Sequence, residues 1–140
     1  MKIIDIQENW SGYFTYPVYD EKGDVSNEEE GRRVPFEIAI NLHNGTFTGT
    51  SWDEESKPLF NKPATIKGFI EKNLISFTMQ YPYLYYINEQ GVLATDKDQK
   101  HPAIRYTGFF NDTEDEIVGE WEMGETPGEG QWGEFELKKR

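Results

Sequence analysis

The sequence predicts an all-β fold, an eight-stranded antiparallel up-and-down β-barrel with its long loops at one end. Three observations predict it. Apolar and polar residues alternate along most of the chain, and no segment carries a convincing helical period. Six strand-like runs place a glycine two residues after a larger anchor, and a glycine inside a strand marks a bend or a close backbone approach. The connections sort into three short polar turns and four long loops.

The elements follow in order. Segment 9–17 puts Trp10, Gly12, Phe14 and Tyr16 on one face, because the strand period is two. Segment 34–43 does the same with Phe36, Ile38, Ile40 and Leu42. Asn44-Gly45, a strong two-residue hairpin signal, turns it into 46–52 and pairs Leu42 with Phe47. Phe47, Gly49 and Ser51 then face inward. Segment 63–71 contributes Ala64, Ile66, Gly68 and Ile70. Lys72-Asn73 leads into 74–81, pairs Ile70 with Ile75, and adds Phe77, Met79 and Tyr81. Segment 103–110 supplies Ile104, Tyr106, Gly108 and Phe110, and a polar turn over 111–115 leads on to 116–123. That run offers Ile117, Gly119, Trp121 and Met123, and 131–138 closes the set with Gly133, Phe135 and Leu137. The opposite parity reads Glu37, Asn41, Thr48, Lys67, Arg105, Glu120, Glu122, Glu134 and Glu136, a wetted exterior.

In a meander, alternate connections lie at the same end. The short turns therefore close one end, and loops 18–33, 53–62, 82–102 and 124–130 crowd the other. Eight strands give a barrel whose interior is filled by side chains or holds one small ligand. Closure removes exposed sheet edges, and inward glycines suit the coiling it requires. A sandwich or a more open sheet, with the glycines at bulges, is the competing architecture.

A chain of 140 residues fits one domain, 1–140. Its net charge of −12 argues against nucleic acid or an anionic membrane as partner, since both need basic patches. An acidic binder of a basic protein is the partner that the charge would allow. The absence of cysteine excludes disulfides, thiolate catalysis and cysteine–zinc sites. Met1–Ile6 is too short and too interrupted for a signal peptide, and no apolar run reaches membrane-spanning length. The cytoplasm is the expected compartment.

Binding loops on a rigid scaffold carry function, so the loop-rich end is where a site is expected. Inner residues near that rim are Tyr16, Phe36, Ser51, Ala64, Tyr81, Ile104, Met123 and Gly133, with Tyr106 and Trp121 one step deeper. Tyr16, Phe36, Tyr81, Tyr106 and Trp121 would supply the walls of an aromatic cup, and Ser51 a hydrogen bond. The other reading is that these rings fill the barrel and leave no cavity. The run Tyr81-Pro82-Tyr83-Leu84-Tyr85-Tyr86 opens the longest loop. It reads as a lid or stacking platform, as an anchor against the barrel exterior, or as an extra strand.

Chemistry beyond binding finds little support. Glu28-Glu29-Glu30, followed by Gly31-Arg32-Arg33, reads as a solvated, mobile connection. Asp53-Glu54-Glu55 and Asn111–Glu116 offer oxygens that could hold calcium weakly, but neither fits the EF-hand loop, and loop solvation is the preferred reading. His43 falls at the closed end and His101 near the mouth, too far apart to share a metal or acid–base site. Inner parity brings no two ionisable side chains together in the lumen. No enzyme activity, catalytic residue, metal or cofactor is expected.

The chain resembles calycin-type barrels, the group that contains lipocalins, fatty-acid-binding proteins and avidins. Its local motifs are most similar to those of avidin-like proteins. Gly45-Thr46-Phe47-Thr48-Gly49-Thr50 resembles their Gly-x-Phe-Thr-Gly-x strand, and Ile75-Ser76-Phe77-Thr78-Met79-Gln80-Tyr81 their Phe-Thr-Val-x-Trp strand. Tyr106-Thr107-Gly108 is similar to the following Trp-Ser-Gly or Phe-Thr-Gly, and Gly119-Glu120-Trp121 to a later Trp-bearing strand. The resemblance implies the barrel fold. It does not carry biotin with it, because Tyr81 stands where those proteins place a biotin-packing Trp, and Ile104 where they often have a ligand-binding hydroxyl. The expected partner is a small, partly apolar or aromatic molecule at the open end, biotin not expected. The alternative is an acidic protein-interaction module with a filled barrel and Tyr83–Tyr86 as its anchor.

Overall fold

The computed structural model describes residues 6–16, 32–124 and 131–140. In chain order the strands are β1 (Ile6–Tyr16), β2 (Arg32–His43), β3 (Thr46–Asp53), β4 (Ala64–Glu71), β5 (Leu74–Gln80), β6 (Leu84–Ile87), β7 (Leu93–Asp96), β8 (Ile104–Phe110), β9 (Glu116–Met123) and β10 (Gln131–Lys139). A 3-10 turn covers Lys57–Leu59. Eight strands close an antiparallel barrel in the order β1-β10-β9-β8-β5-β4-β3-β2, while β6 and β7 form a separate two-stranded sheet.

The predicted register holds where it can be checked. Leu42 lies opposite Phe47 and Ile70 opposite Ile75. Asn44 and Gly45 both take positive φ, 52° and 83°, the conformation that lets a two-residue turn match the twist of its strands. Ile70 N donates to Gly45 O at 2.7 Å and Phe110 N to Asn73 O at 2.8 Å, which ties neighbouring turns together at the closed end. The polar turn after β8 uses its own oxygens: Asn111 Oδ1 accepts from Asp115 N and Glu116 N, and Asp115 Oδ1 from Asn111 Nδ2 and Thr113 Oγ1.

Strand boundaries differ from the sequence reading in ways that matter at the mouth. β2 begins at Arg32, β3 runs on to Asp53, and Asp53 pairs with Phe36. The segment 82–102, expected as a loop, contains the β6–β7 hairpin. Pro17, the acidic run Glu28–Glu30, and most of loops 18–33 and 124–130 lie outside the described residues.

The lower barrel is filled by rings. Phe77 and Tyr106 stack with centroids 4.8 Å apart, and Phe135 meets both edge-on. Phe47 packs on Phe77, and Trp10 on Phe110. Such pairs contribute roughly 0.5–1.5 kcal/mol each beyond the area they bury. Glycine is required where strands crowd. A Cβ on Gly133 would overlap the Thr15 carbonyl oxygen and lie 2.5 Å from Nε1 of Trp121. No helix among the described residues is long and apolar enough to cross a membrane.

Candidate ligand-binding site

Above the ring-filled floor, a cavity of about 500 Å³ opens at the long-loop end. Phe14 and Tyr16 of β1, Ile104 and Tyr106 of β8, and Trp121 and Met123 of β9 form its barrel wall. Tyr81 adds to that wall; Leu84, Tyr85, Tyr86, His101, Pro102 and Glu55 bound it from the loops. The two readings of the lumen therefore each hold in one part: rings fill the lower barrel, and the upper part is hollow.

Of the six residues singled out from the sequence, Tyr16, Tyr81, Tyr106 and Trp121 line this cavity. Phe36 and Ser51 lie one inward step below the rim, because β2 and β3 extend further than expected and Val34 and Asp53 take the rim positions. Phe36 instead supports the floor, packing edge-on against Phe14 and tilted against Tyr106. The Ser51 hydroxyl is buried and has no hydrogen-bond partner among the described residues.

Trp121 is fixed from two directions. Its Nε1 donates to Thr15 O at 2.9 Å across the gap that Gly133 leaves, and its ring meets Tyr16 edge-on at 5.6 Å. The alternation that places it follows directly from Ile117-x-Gly119-x-Trp121 on β9.

Loop 54–63 is organised by Asp53. Its carboxylate accepts from Ser56 N at 2.7 Å, Ser56 Oγ at 2.8 Å and the Tyr81 hydroxyl at 2.5 Å. The loop then seats Phe60, which stacks on Tyr81 and meets Tyr83 and Tyr85 edge-on. It also presents Glu55, whose Oε1 accepts from Tyr16 at 2.7 Å and Tyr85 at 3.3 Å.

The tyrosine run combines its predicted roles. Tyr83 anchors the hairpin, with its ring on Phe60 and its hydroxyl donating to Leu59 O at 3.2 Å. Tyr85 reaches the cavity and stacks on His101 with centroids 5.0 Å apart. The segment pairs as strand β6, but with β7 and not with the barrel.

His101 is buried, and Gln80 Nε2 holds its backbone carbonyl at 2.6 Å. Its Nδ1 lies 2.8 Å from Pro102 O, an oxygen that can only accept, so Nδ1 carries the proton. Burial holds the ring below the usual histidine range, against opposing pulls from the Pro102 carbonyl and Asp53. At neutral pH the ring is therefore chiefly neutral, with Nε2 an acceptor. Burial, with neighbouring acidic groups adding to it, pushes the phenols of Tyr16, Tyr81 and Tyr85 well up, so all three keep their protons.

The six residues singled out from the sequence did not include Asp53, Glu55 or Tyr85, although Tyr85 belongs to the aromatic run read as a lid or stacking platform. The inward parity assigned from the sequence stopped at Ser51; the structure adds one ionisable group to that face, Asp53, which is 3% exposed. It continues the inward parity of Phe47, Gly49 and Ser51 by one more step, and that parity was the available signal. Glu55 and Tyr85 sit in irregular or separately paired segments, where strand parity says nothing.

No family model matches the chain. No curated protein matches it either. Among solved structures it is similar to the crystal structure of a rhizavidin–biotin complex, with a TM-score of 0.54 and 15% identity, over 96% of this chain and 100% of that one. Together with the closed eight-stranded meander, this likeness shows an avidin-like barrel fold.

Proposed function

We propose that this barrel binds a small, partly apolar molecule in the cavity at its open end. The observation that carries the reading is the cavity itself: about 500 Å³, walled by aromatic rings, at the end where the loops gather. Ligand pockets span roughly 300–1,000 Å³ and pair apolar walls with a few placed polar groups. The avidin-like fold supports the same reading, as a barrel able to hold one small ligand.

The walls would be Tyr16, Tyr81, Tyr106 and Trp121, joined by Phe14 and Tyr85; Phe36 and Ser51 would act from beneath. Binding rather than turnover fits the polar groups: Asp53 is held by three donors, and His101 by the Pro102 carbonyl. Biotin is not the proposed ligand. Rhizavidin was solved with it, but here Tyr81 and Ile104 replace the residue types expected around it, and a carboxylate-bearing ligand would meet Glu55. The cytoplasm remains the proposed compartment.

The rival reading, a protein-interaction module, is favoured by a different observation from the one first considered. Tyr83 and Tyr85 are largely engaged in packing, whereas Phe109 and Val118 pair on the barrel exterior at 52% and 55% exposure. Native mass spectrometry of freshly purified protein, alone and with a metabolite extract, tests both. A retained small-molecule mass is the expected result; a bare chain that gains none would overturn the ligand reading.

A further inference from the structure

Neither sign of ligand charge finds an open counter-charge at the cavity. Among the described lining residues there is no Lys or Arg. The Asp53 carboxylate already accepts from three donors. Glu55 accepts from Tyr16 and Tyr85 and has a further interaction besides. Those bonds also occupy three tyrosine hydroxyls as donors, and the Trp121 N–H is directed at Thr15 O.

His101 is different. Its Nδ1–H is turned to Pro102 O, so Nε2 keeps a lone pair, and no described residue donates to it. Among the described residues, the buried side-chain atoms that lack a partner are Trp10 Nε1 and Ser51 Oγ, and neither residue lines the cavity. Nε2 of His101 is not one of them, so it is reached from open space. For a residue only 4% exposed, that space is the cavity it lines. The ring is held from several sides: it stacks on Tyr85, meets Tyr81 edge-on at 4.9 Å, and follows a backbone carbonyl that Gln80 Nε2 holds at 2.6 Å. An acceptor fixed before binding costs a ligand little ordering.

We infer that the cavity takes a neutral aromatic molecule with a ring-borne O–H or N–H, of the phenol or indole class, which donates to Nε2 of His101. This rests on the ligand-binding reading above and adds the ligand's charge and the bond that orients it. The ligand's ring lies among Tyr16, Tyr85 and Trp121, where edge-to-face and offset contacts are available. A fused bicyclic ring is well within a volume of about 500 Å³. A ligand with acceptors alone would set a lone pair against Nε2 and lose the bond. A carboxylate would enter a wall with no Lys or Arg to receive it, and an ammonium group would compete with donors already seated on Asp53 and Glu55.

The test is isothermal titration of the full chain at about pH 8, where His101 is neutral, with four probes. Indole carries the N–H; benzofuran has the same shape without it; indoleacetate and tryptamine add a negative and a positive charge. Indole is expected to bind at least about fivefold more tightly than benzofuran, as one neutral hydrogen bond implies, and neither charged probe more tightly than indole. In His101→Phe, which keeps a ring on Tyr85 and removes the acceptor, the preference for indole should fall to about one. Nitrogen NMR of the parent gives a readout that needs no variant: the Nε2 resonance of His101, one of two histidines in the chain, should move with indole and not with benzofuran. Benzofuran binding as well as indole, a preference retained in folded His101→Phe, or an unmoved Nε2 resonance would overturn the donor inference and leave the ligand-binding reading standing. Tighter binding of either charged probe would overturn the neutral charge. Failure of all four probes to bind would overturn the inference too, and native mass spectrometry would then decide the broader reading separately.

Discussion

The Tyr81 hydroxyl donates to Oδ2 of Asp53 at 2.5 Å, joining the residue that follows β5 to the last residue of β3 across the intervening β4. Because Asp53 also accepts from Ser56 N and Oγ, one buried carboxylate sets both the wall position of Tyr81 and the path of the loop that presents Glu55. Tyr81→Phe should cost about 1–2 kcal/mol, and Asp53→Asn about 2–3 kcal/mol, since the amide puts a donor against donors. The pair is in direct contact, so the double variant should fall short of additivity by about 1–2 kcal/mol in urea unfolding. Additive losses would remove the hydrogen bond from the account of the mouth.

Gly133→Ala should destabilise the fold by at least about 2 kcal/mol, because the new methyl overlaps the Thr15 carbonyl oxygen and crowds Trp121 at once. Neither neighbour is the free end of a flexible chain. The Trp121 indole, displaced from its 2.9 Å bond, should also shift the emission spectrum. Gly91→Ala is the control: φ is +75° but nothing lies within 4 Å, so only the left-handed backbone, about 1 kcal/mol, is at stake. Equal losses at the two sites would mean that crowding beneath the cavity plays no part.

Most of the barrel was legible in the sequence because its signals are periodic. Alternation sets which residues face inward, Asn44-Gly45 and Lys72-Asn73 fix the register, and Leu42–Phe47 and Ile70–Ile75 pair as that register demands. Those same rules led to Tyr16, Tyr81, Tyr106 and Trp121. They stopped short at Asp53, where an acidic residue looks like the start of a loop although three donors make its burial tolerable. They gave no access to Glu55 or to the Tyr85–His101 stack, which depend on how loops fold over the mouth rather than on any period. Turn lengths told which end is open; they could not tell how the opening is lined.

His101 should make stability depend on pH in a definite direction. Its folded value is held below the unfolded value of about 6.5, chiefly by burial, so the unfolded chain binds the proton more readily. Its contribution is fully present above about pH 6.5 and is lost as pH falls through that value toward the depressed one. Asp53 opposes the shift, and Tyr81 and Tyr85, which pack on the ring, stay protonated throughout this range. His101→Gln removes the titration and should flatten the slope. The difference in urea midpoint between parent and variant, followed from about pH 7.5 to about pH 5, isolates the histidine because other groups cancel. A difference constant across that range would show that the ring titrates alike folded and unfolded.

The β6–β7 hairpin should open more readily than the barrel it borders. It has four residue pairs and, among the described residues, no bonded strand on either edge, and a lone two-stranded unit is only marginally stable. What holds it are side contacts: Tyr83 on Phe60, Tyr85 on His101, the Tyr85 hydroxyl on Glu55, and Leu84 N donating to Gln99 O at 2.9 Å. Hydrogen exchange of Leu84–Ile87 and Leu93–Asp96 should therefore run at least about a hundredfold faster than that of β5 and β8, which are paired on both sides. Glu55→Gln weakens one anchor and should speed the hairpin while leaving β5 and β8 unchanged. Because Leu84, Tyr85 and Tyr86 bound the cavity, such opening would widen its mouth. Hairpin amides as slow as those of the barrel would instead mean a rigid rim, with any ligand passing only through the opening already present.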